Sequence, residues 1–323
     1  MTSGRQMLVT GGAGFIGSHL VDALLDRGDR VRVLDDLSTG QHTNPDAELV
    51  MGDVADVDVV ARAAAGVEVV FHHAAHRAVL RSVEHPLATD RANTFGTLNL
   101  LKASVDAGVR RVVYASSSSV YGGAEQLPTP TEAPLLPRSP YAVSKLAGEH
   151  YCRVFAELYG LETVALRYFN VYGPRQRPDS RYAAVIPLFI RALLDGESPE
   201  VHGDGTQSRD FTYVDDVVAA NLAAADAPVE RCSGRAFNVA GGRPYSLVEL
   251  LKILQRTTGR SLEPRFTAPR AGDVRHTWAE IGSAADAFGY RPAIGFEEGL
   301  ARTVEWFRGQ RAPAVPRAGE VGP

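Results

Sequence analysis

The sequence predicts an α/β protein: a doubly wound parallel sheet with a smaller α/β cap. Three features predict it. Short apolar runs alternate with helical stretches through the first half of the chain. The first run, Met7-Leu8-Val9-Thr10, ends in the turn Gly11-Gly12-Ala13-Gly14, after which Phe15, Ile16 and Leu20 fall at helical spacing. From Gly173 the alternation stops and loops rich in Pro and Arg take over. Strands that alternate with helices need crossover connections, which make the sheet parallel and cover both of its faces.

Taken in order, Met7 to Thr10 is the first strand, and the second, Val31-Arg32-Val33-Leu34, ends in Asp35-Asp36. Leu49 to Val54 reads as a short third strand that includes Asp53, and Val67 to His73 as a fourth, followed by Ala74-Ala75. A helix is expected from about Pro86 to Ala107 and a fifth strand from Arg111 to Ser116. Prolines from Pro128 to Pro140 predict a loop over the mouth of the sheet. Tyr141 to Tyr159 is a long helix, and Leu161 to Phe169 returns as a strand. A helix around Ile186 to Leu194 follows, then Asp210 to Asp216 before an alanine-rich helix, and one more strand from Ala236 to Ala240. The expected division is residues 1–172 for the sheet domain, with 210–240 returning to it, and 173–310 for the cap. Residues 311–323, rich in Pro, Gly and Ala, are expected to be mobile.

A chain of 323 residues can bury a full core. Its formal charge of −4 is mild and not gathered into tails, which argues against nucleic acid or an anionic membrane as the main partner. No apolar run approaches membrane-span length and the first residues lack a secretory pattern, so a cytoplasmic location is expected. Cys152 and Cys232 stand in no metal-ligand spacing and read as reduced packing residues.

Gly12-x-Gly14-x-x-Gly17 fits a dinucleotide fingerprint, with Gly11 giving a second register. Glycine lets the chain turn sharply and lets a pyrophosphate approach the backbone, while the helix start offers unpaired N–H groups. Asp35-Asp36 follows at the usual distance of roughly 20 residues, where a carboxylate meets ribose hydroxyls. No Arg occupies the two positions after Leu34, so NAD is favoured over NADP. In a doubly wound sheet the ligand lies outside the carboxyl ends of the strands, where Asp35, Asp53, His72 and Ser116 can converge.

Tyr141 and Lys145 stand four residues apart on one helix face. A lysine ammonium and an oxidised nicotinamide would both favour the phenolate, making Tyr141 a general base. The serine run Ser116 to Ser119 follows a strand directly, and a hydroxyl there could orient the oxygen whose proton Tyr141 removes. Nothing places a His or Asp to turn these serines into nucleophiles, so a hydrolase triad is not expected. Arg175, Arg177, Arg209 and Arg270 lie in cap loops and could clamp a second diphosphate. His72, His73 and His76 lack a supporting acid or cysteine cluster, and no metal is expected.

Several ordered motifs then converge: Thr10-Gly11-Gly12-Ala13-Gly14-Phe15-Ile16-Gly17, the serines before Val120-Tyr121-Gly122, and Tyr141-x-x-x-Lys145. Tyr168-Phe169-Asn170-Val171-Tyr172-Gly173-Pro174-Arg175 follows, then Gly203-Asp204-Gly205, Arg209-Asp210-Phe211, and Pro269-Arg270-Ala271-Gly272-Asp273 with Trp278-Ala279. From about Met7 to Phe307 the chain resembles the extended short-chain dehydrogenase/reductase family, whose fold is Rossmann-like. Within it the chain is similar to the nucleotide-sugar 4-epimerases of the UDP-galactose 4-epimerase kind.

By that resemblance, the cofactor NAD would be held by Gly11, Gly14, Phe15, Ile16, Gly17, Asp35, Asp36, Asp53 and Val54. His73, Ala74, Ala75, Arg77, Asn93 and Ser116 would line the rest of it. Tyr141 would be the base, Lys145 its pKa modulator and ribose anchor, and Ser117 the hydroxyl bonded to sugar O4. Asn170, Arg209 and Arg270 would bind the nucleotide diphosphate, Asp273 the nucleotide ribose, and Val185 would complete the substrate site. A homodimer is implied, through the Tyr141 helix and the helix around Asn99.

The reaction implied is reversible oxidation at C4, with the 4-keto sugar turning over before the hydride returns to its other face. Related dehydratases carry an Asp-Glu pair where this chain has Ser118 and Ser119, and related decarboxylases a Glu where it has Ser119. A simple 4-epimerase of UDP-glucose and UDP-galactose is therefore the first reading. UDP-glucuronate comes next, because Ser117, Ser118, Ser119 and Arg177 could hold a C6 carboxylate. Thr277 stands where a bulky Tyr would exclude N-acetyl groups, which keeps N-acetylhexosamines open. The other classes are a non-catalytic NAD-binding sensor and a dehydrogenase of some other alcohol.

Overall fold

In the computed structural model of the protein, the residues described are 4–179, 183–269 and 274–310. Arg270, Asp273 and the segment 311–323 lie outside them. Seven strands, numbered here in chain order, form one sheet: β1 Gln6–Thr10, β2 Arg30–Asp35, β3 Glu48–Met51, β4 Val69–His72, β5 Arg111–Ser117, β6 Glu162–Tyr168 and β7 Arg235–Val239. Their spatial order is β7-β6-β5-β4-β1-β2-β3. Every neighbouring pair is parallel. From β1 the chain runs outward through β2 and β3, then returns to place β4 on the other side of β1. That reversal opens a crevice at the carboxyl ends of β1 and β4.

The two-residue alternation of strand side chains divides the core between the faces. Met7 and Val9 pack with Leu20, Leu24, Val217 and Phe237 on one face. Leu8 packs with Val70, Leu100, Val112 and Phe155 on the other. Each such side chain removed from water contributes about 1.5–3 kcal/mol before entropy is counted. The alanine-rich helix Val214–Asp226 packs beside Phe15–Asp26, and β7 closes the sheet edge beyond β6.

The expected helix at 86–107 is one path of mixed character: Pro86–Asp90, a π turn Arg91–Phe95, then Gly96–Asp106. The extra residue per turn directs Asn93 inward, where it is 1% exposed. Its amide oxygen accepts from the His76 N–H at 2.7 Å, and its amide nitrogen donates to His76 O and Ser144 Oγ. The turn thus pins the loop after β4.

Outside the sheet, Ser208–Asp210 pairs antiparallel with Pro244–Ser246, and Glu200–His202 pairs parallel with Arg265–Thr267. A third core joins Ile186, Phe189 and Ile190 to Leu250, Leu254, Phe296 and Leu300. Helix Leu247–Thr258 starts at a capping box between Ser246 and Glu249 and stops at Gly259, φ 70°. No helix among the described residues is long and apolar enough to cross a membrane.

Candidate functional site

The glycine turn after β1 makes the floor of a long cleft. Gly11 adopts φ +69°, and a Cβ there would lie 2.7 Å from the Ala74 nitrogen. A Cβ on Gly17 would lie 2.2 Å from Gly11 O, so this glycine lets the helix sit directly on the turn. Gly14 is the N-cap of Phe15–Asp26 and supplies no side-chain cap, leaving the positive end of the helix to a ligand. The cleft is lined by Gly11, Gly14, Phe15, Ile16, Gly17, Asp35, Asp36, Asp53, Val54, His73, Ala74, Ala75, Arg77, Ser116, Tyr141 and Lys145. An anion-binding turn flanked by acids at one end and a phenol at the other fits a dinucleotide. Asn93 is the exception among the cofactor residues expected from sequence. It does not line the cleft, because its amide is spent on the His76 loop.

The two acids after β2 divide their work. Asp35 is buried and accepts from the N–H groups of Ala13 and Leu37, which locks the glycine turn to β2. Asp36 is exposed at the cleft wall, where it accepts from Ser38 N–H and Oγ, leaving it open to the cleft. Asp53 lies beyond the end of β3, with Arg91 4.0 Å away.

Helix Pro140–Tyr159 begins with Pro140 at its first position and Ser139 capping the Ala142 N–H. It carries Tyr141 and Lys145 to the cleft wall one turn apart. The Lys145 ammonium donates to Ala115 O at 2.7 Å and lies 5.1 Å from the Tyr114 ring centre and 6.0 Å from that of Tyr141. Burial brings Lys145 down to about 8. Burial also pushes the Tyr141 phenol up, opposed by a hydrogen bond from Ser117 and the charge of Arg77. Lys145, expected from sequence to draw the phenol down together with the nicotinamide, is not among the groups that do so in the protein alone, which are Ser117 and Arg77. His73 is held neutral, its burial bringing it down to about 4, and its ring stacks on Tyr168 at 6.0 Å. His72 bonds Thr10 and Thr97, which ties the ends of β1 and β4 together.

A second pocket adjoins the cleft and shares Phe15, Ile16, Arg77, Ser116, Tyr141 and Tyr168 with it. Ser117, Ser118, Ser119, Asn170, Arg209 and Thr277 line it. Ser117 caps the short turn Ser118–Tyr121 by accepting from the Ser119 N–H. Beneath that turn Ser116 donates to Glu149, which pairs in fork geometry with Arg167, and Arg167 also holds Tyr121 Oη and Thr131 O. Asn170, at φ 35°, donates to Thr277 Oγ1 at 3.0 Å. A third pocket shares Asn170, Gln176 and Arg209 and is lined by Val185, Phe189, His202, Gln207 and Arg265.

Arg177 is placed differently from the sequence expectation. It lines the dinucleotide cleft, not the serine pocket, and its guanidinium forks onto Asp179 at 2.9 and 2.6 Å. Arg175 joins it on that side, bonded to Asp22. The backbone at Arg175 takes φ 65°, and its side chain reaches Asp22 on the helix after the glycine turn, while Arg177 also donates to Thr39 O. Two residues escaped the sequence reading. Gln176, which stands between two arginines in the sequence, is 6% exposed, and its amide oxygen has no partner among the described residues. Arg138 sits in the proline loop, where no local pattern marks it.

Comparison with known proteins agrees with this geometry. The profile of the NAD dependent epimerase/dehydratase family matches residues 7–240. A UDP-glucose 4-epimerase of Mycolicibacterium smegmatis is 42% identical over 310 residues, spanning 93% of this chain and 98% of that one. The structure of UDP-glucose 4-epimerase from Thermotoga maritima with UDP-glucose superposes with TM-score 0.91 at 39% identity, covering 94% of this chain and 99% of that one. MoeE5 in complex with UDP-glucuronic acid and NAD gives TM-score 0.86 at 39% identity, with the same coverage of 94% and 99%.

Proposed function

The chain belongs to the NAD dependent epimerase/dehydratase family, and from that premise we propose that it inverts C4 of UDP-linked sugars, between UDP-glucose-type and UDP-galactose-type. It is an isomerase that uses NAD. The observation that carries the reading is the shared wall: Tyr141 and Ser116 belong to both the dinucleotide cleft and the serine pocket. NAD, when bound, supplies a reversible hydride acceptor for sugar C4.

The chain's own residues supply the rest. Tyr141 takes the O4 proton and later returns it, with Ser117 hydrogen-bonded to the phenol. Lys145, fixed to Ala115 O, keeps a positive charge beside that wall. Asn170, Arg209 and Val185 hold the nucleotide half in the third pocket and the neck leading to it, and we assign Arg270 and Asp273 to the same task. Grip on this remote part lets small side chains such as Ala124 and Ser118 surround the sugar loosely, so the sugar can present either face. No carboxylate among the described residues lines the serine pocket, which favours simple inversion over a dehydration needing an acid pair.

We assign residues 1–172 with 210–240 to dinucleotide binding and 173–310 to substrate binding. A homodimer is supported by exposed Val79, Leu80, Val83, Leu87 and Val143 on neighbouring helices. The test of function is a panel of UDP-sugars given to purified protein with no added cofactor, read by NMR for C4-inverted products. Absence of inversion of every sugar would overturn the reading.

A further inference from the structure

The charge of the serine pocket is one-sided. Arg77, Arg138 and Arg209 line it, His276 stands at its rim, and no Asp or Glu among the described residues does. The chain as a whole has more acids than bases, 38 against 34, so composition does not explain this wall. A diphosphate accounts for Arg209. A neutral hexose leaves Arg138 without work, while Arg77 also favours the phenolate of Tyr141, and neither pairs with a carboxylate among the described residues.

Both are placed by unusual backbone. Gly122 has φ +65°, and a Cβ on it would lie 1.8 Å from Leu136 O and 3.2 Å from Arg138 Cγ. Only a glycine lets the proline loop cross this close, and the crossing sets Arg138 against the serine turn. Ala78, directly after Arg77, is held at φ 91°, ψ 123°, a conformation costly for any residue with a Cβ. Ser119 Oγ is shut from water with no partner among the described residues, a donor kept for something in this pocket.

We propose that the sugar is a hexuronate, its C6 carboxylate received by Arg138 with Arg77 as a second positive charge. Tyr141 marks where C4 must sit, and C6 branches from the next ring carbon, within the wall that Arg77 shares. The proposal rests on the C4-inversion reading and moves the preference from neutral hexoses to uronates. It also takes the carboxylate away from Arg177, whose fork is occupied by Asp179.

The experiment measures kcat/KM for UDP-glucuronate and UDP-glucose with wild type and Arg138→Gln, and calorimetric binding of both to Tyr141→Phe with and without Arg138→Gln. Wild type is expected to prefer UDP-glucuronate at least about tenfold, and Arg138→Gln to lower that activity about 10–100-fold. UDP-glucose turnover should change far less. Preference of the wild type for UDP-glucose would overturn the proposal while leaving C4 inversion standing. So would equal losses on both sugars, which would put Arg138 on the phosphates. If no sugar is inverted, the parent reading fails, and the binding arm still decides: UDP-glucuronate binding that ignores Arg138 removes the proposal as well.

Discussion

Glu149 and Arg167 give the sharpest test of how the site is held. Their side chains are 7% and 6% exposed, and two N–H donors of Arg167 meet the carboxylate at 2.9 and 2.8 Å. Glu149→Ala leaves the guanidinium buried with only Tyr121 Oη and Thr131 O as partners. Stranding one charge of a buried pair costs about 3–5 kcal/mol, a large part of the roughly 5–15 kcal/mol that holds a typical domain together. The double variant Glu149→Leu/Arg167→Met removes both charges and should recover at least half of the loss. Urea unfolding followed by Trp278 and Trp306 fluorescence measures both. A loss below about 1 kcal/mol for Glu149→Ala, or a double variant no better than the single one, would refute the stranded-charge reasoning.

Gly17→Ala drives a methyl into the Gly11 carbonyl and should cost about 1–3 kcal/mol of cofactor affinity; protein that purifies with undiminished NAD would count against that. Tyr141→Phe should abolish turnover and keep bound NAD, as judged by absorbance of the purified protein. Lys145 falls to about 8 in the fold from an ordinary 10.5, so its ammonium is present below pH 8 and lost as pH rises through it. Activity should therefore decline on the alkaline side with an apparent pKa near 8. Because the unfolded chain binds more protons between those values, this lysine costs stability below pH 8, and the cost fades as pH rises. Lys145→Met should then be inactive yet no less stable at pH 7, by thermal unfolding. Arg177→Ala should weaken cofactor retention without distinguishing neutral sugars from uronates, measured by NAD release and by kcat/KM on each.

What the sequence could show was local. The glycine turn, Asp35-Asp36 and Tyr141-x-x-x-Lys145 each encode their geometry within a few residues, and strand ends bring them together by topology alone. Side-chain direction in loops was not legible. Arg177 and Arg138 look alike in sequence, yet they line different pockets, each next to backbone at positive φ, Arg175 in one case and Gly122 across the loop in the other. The π turn at Arg91–Phe95 was hidden because it depends on Asn93 finding the His76 loop, a contact across the fold. The sequence shows Lys145 and implies a nicotinamide charge, both favouring the Tyr141 phenolate, but it does not show the burial by surrounding elements that pushes the phenol up.

The central claim is that Tyr141 moves a proton at O4 while the hydrogen on C4 leaves and returns without meeting solvent. The direct measurement is a reaction of UDP-glucuronate or UDP-glucose in D2O with no added cofactor, read by proton NMR. The account predicts C4-inverted product that keeps protium at C4 and C5, and none with Tyr141→Phe. Deuterium at either carbon, or inversion that persists in Tyr141→Phe, would contradict it.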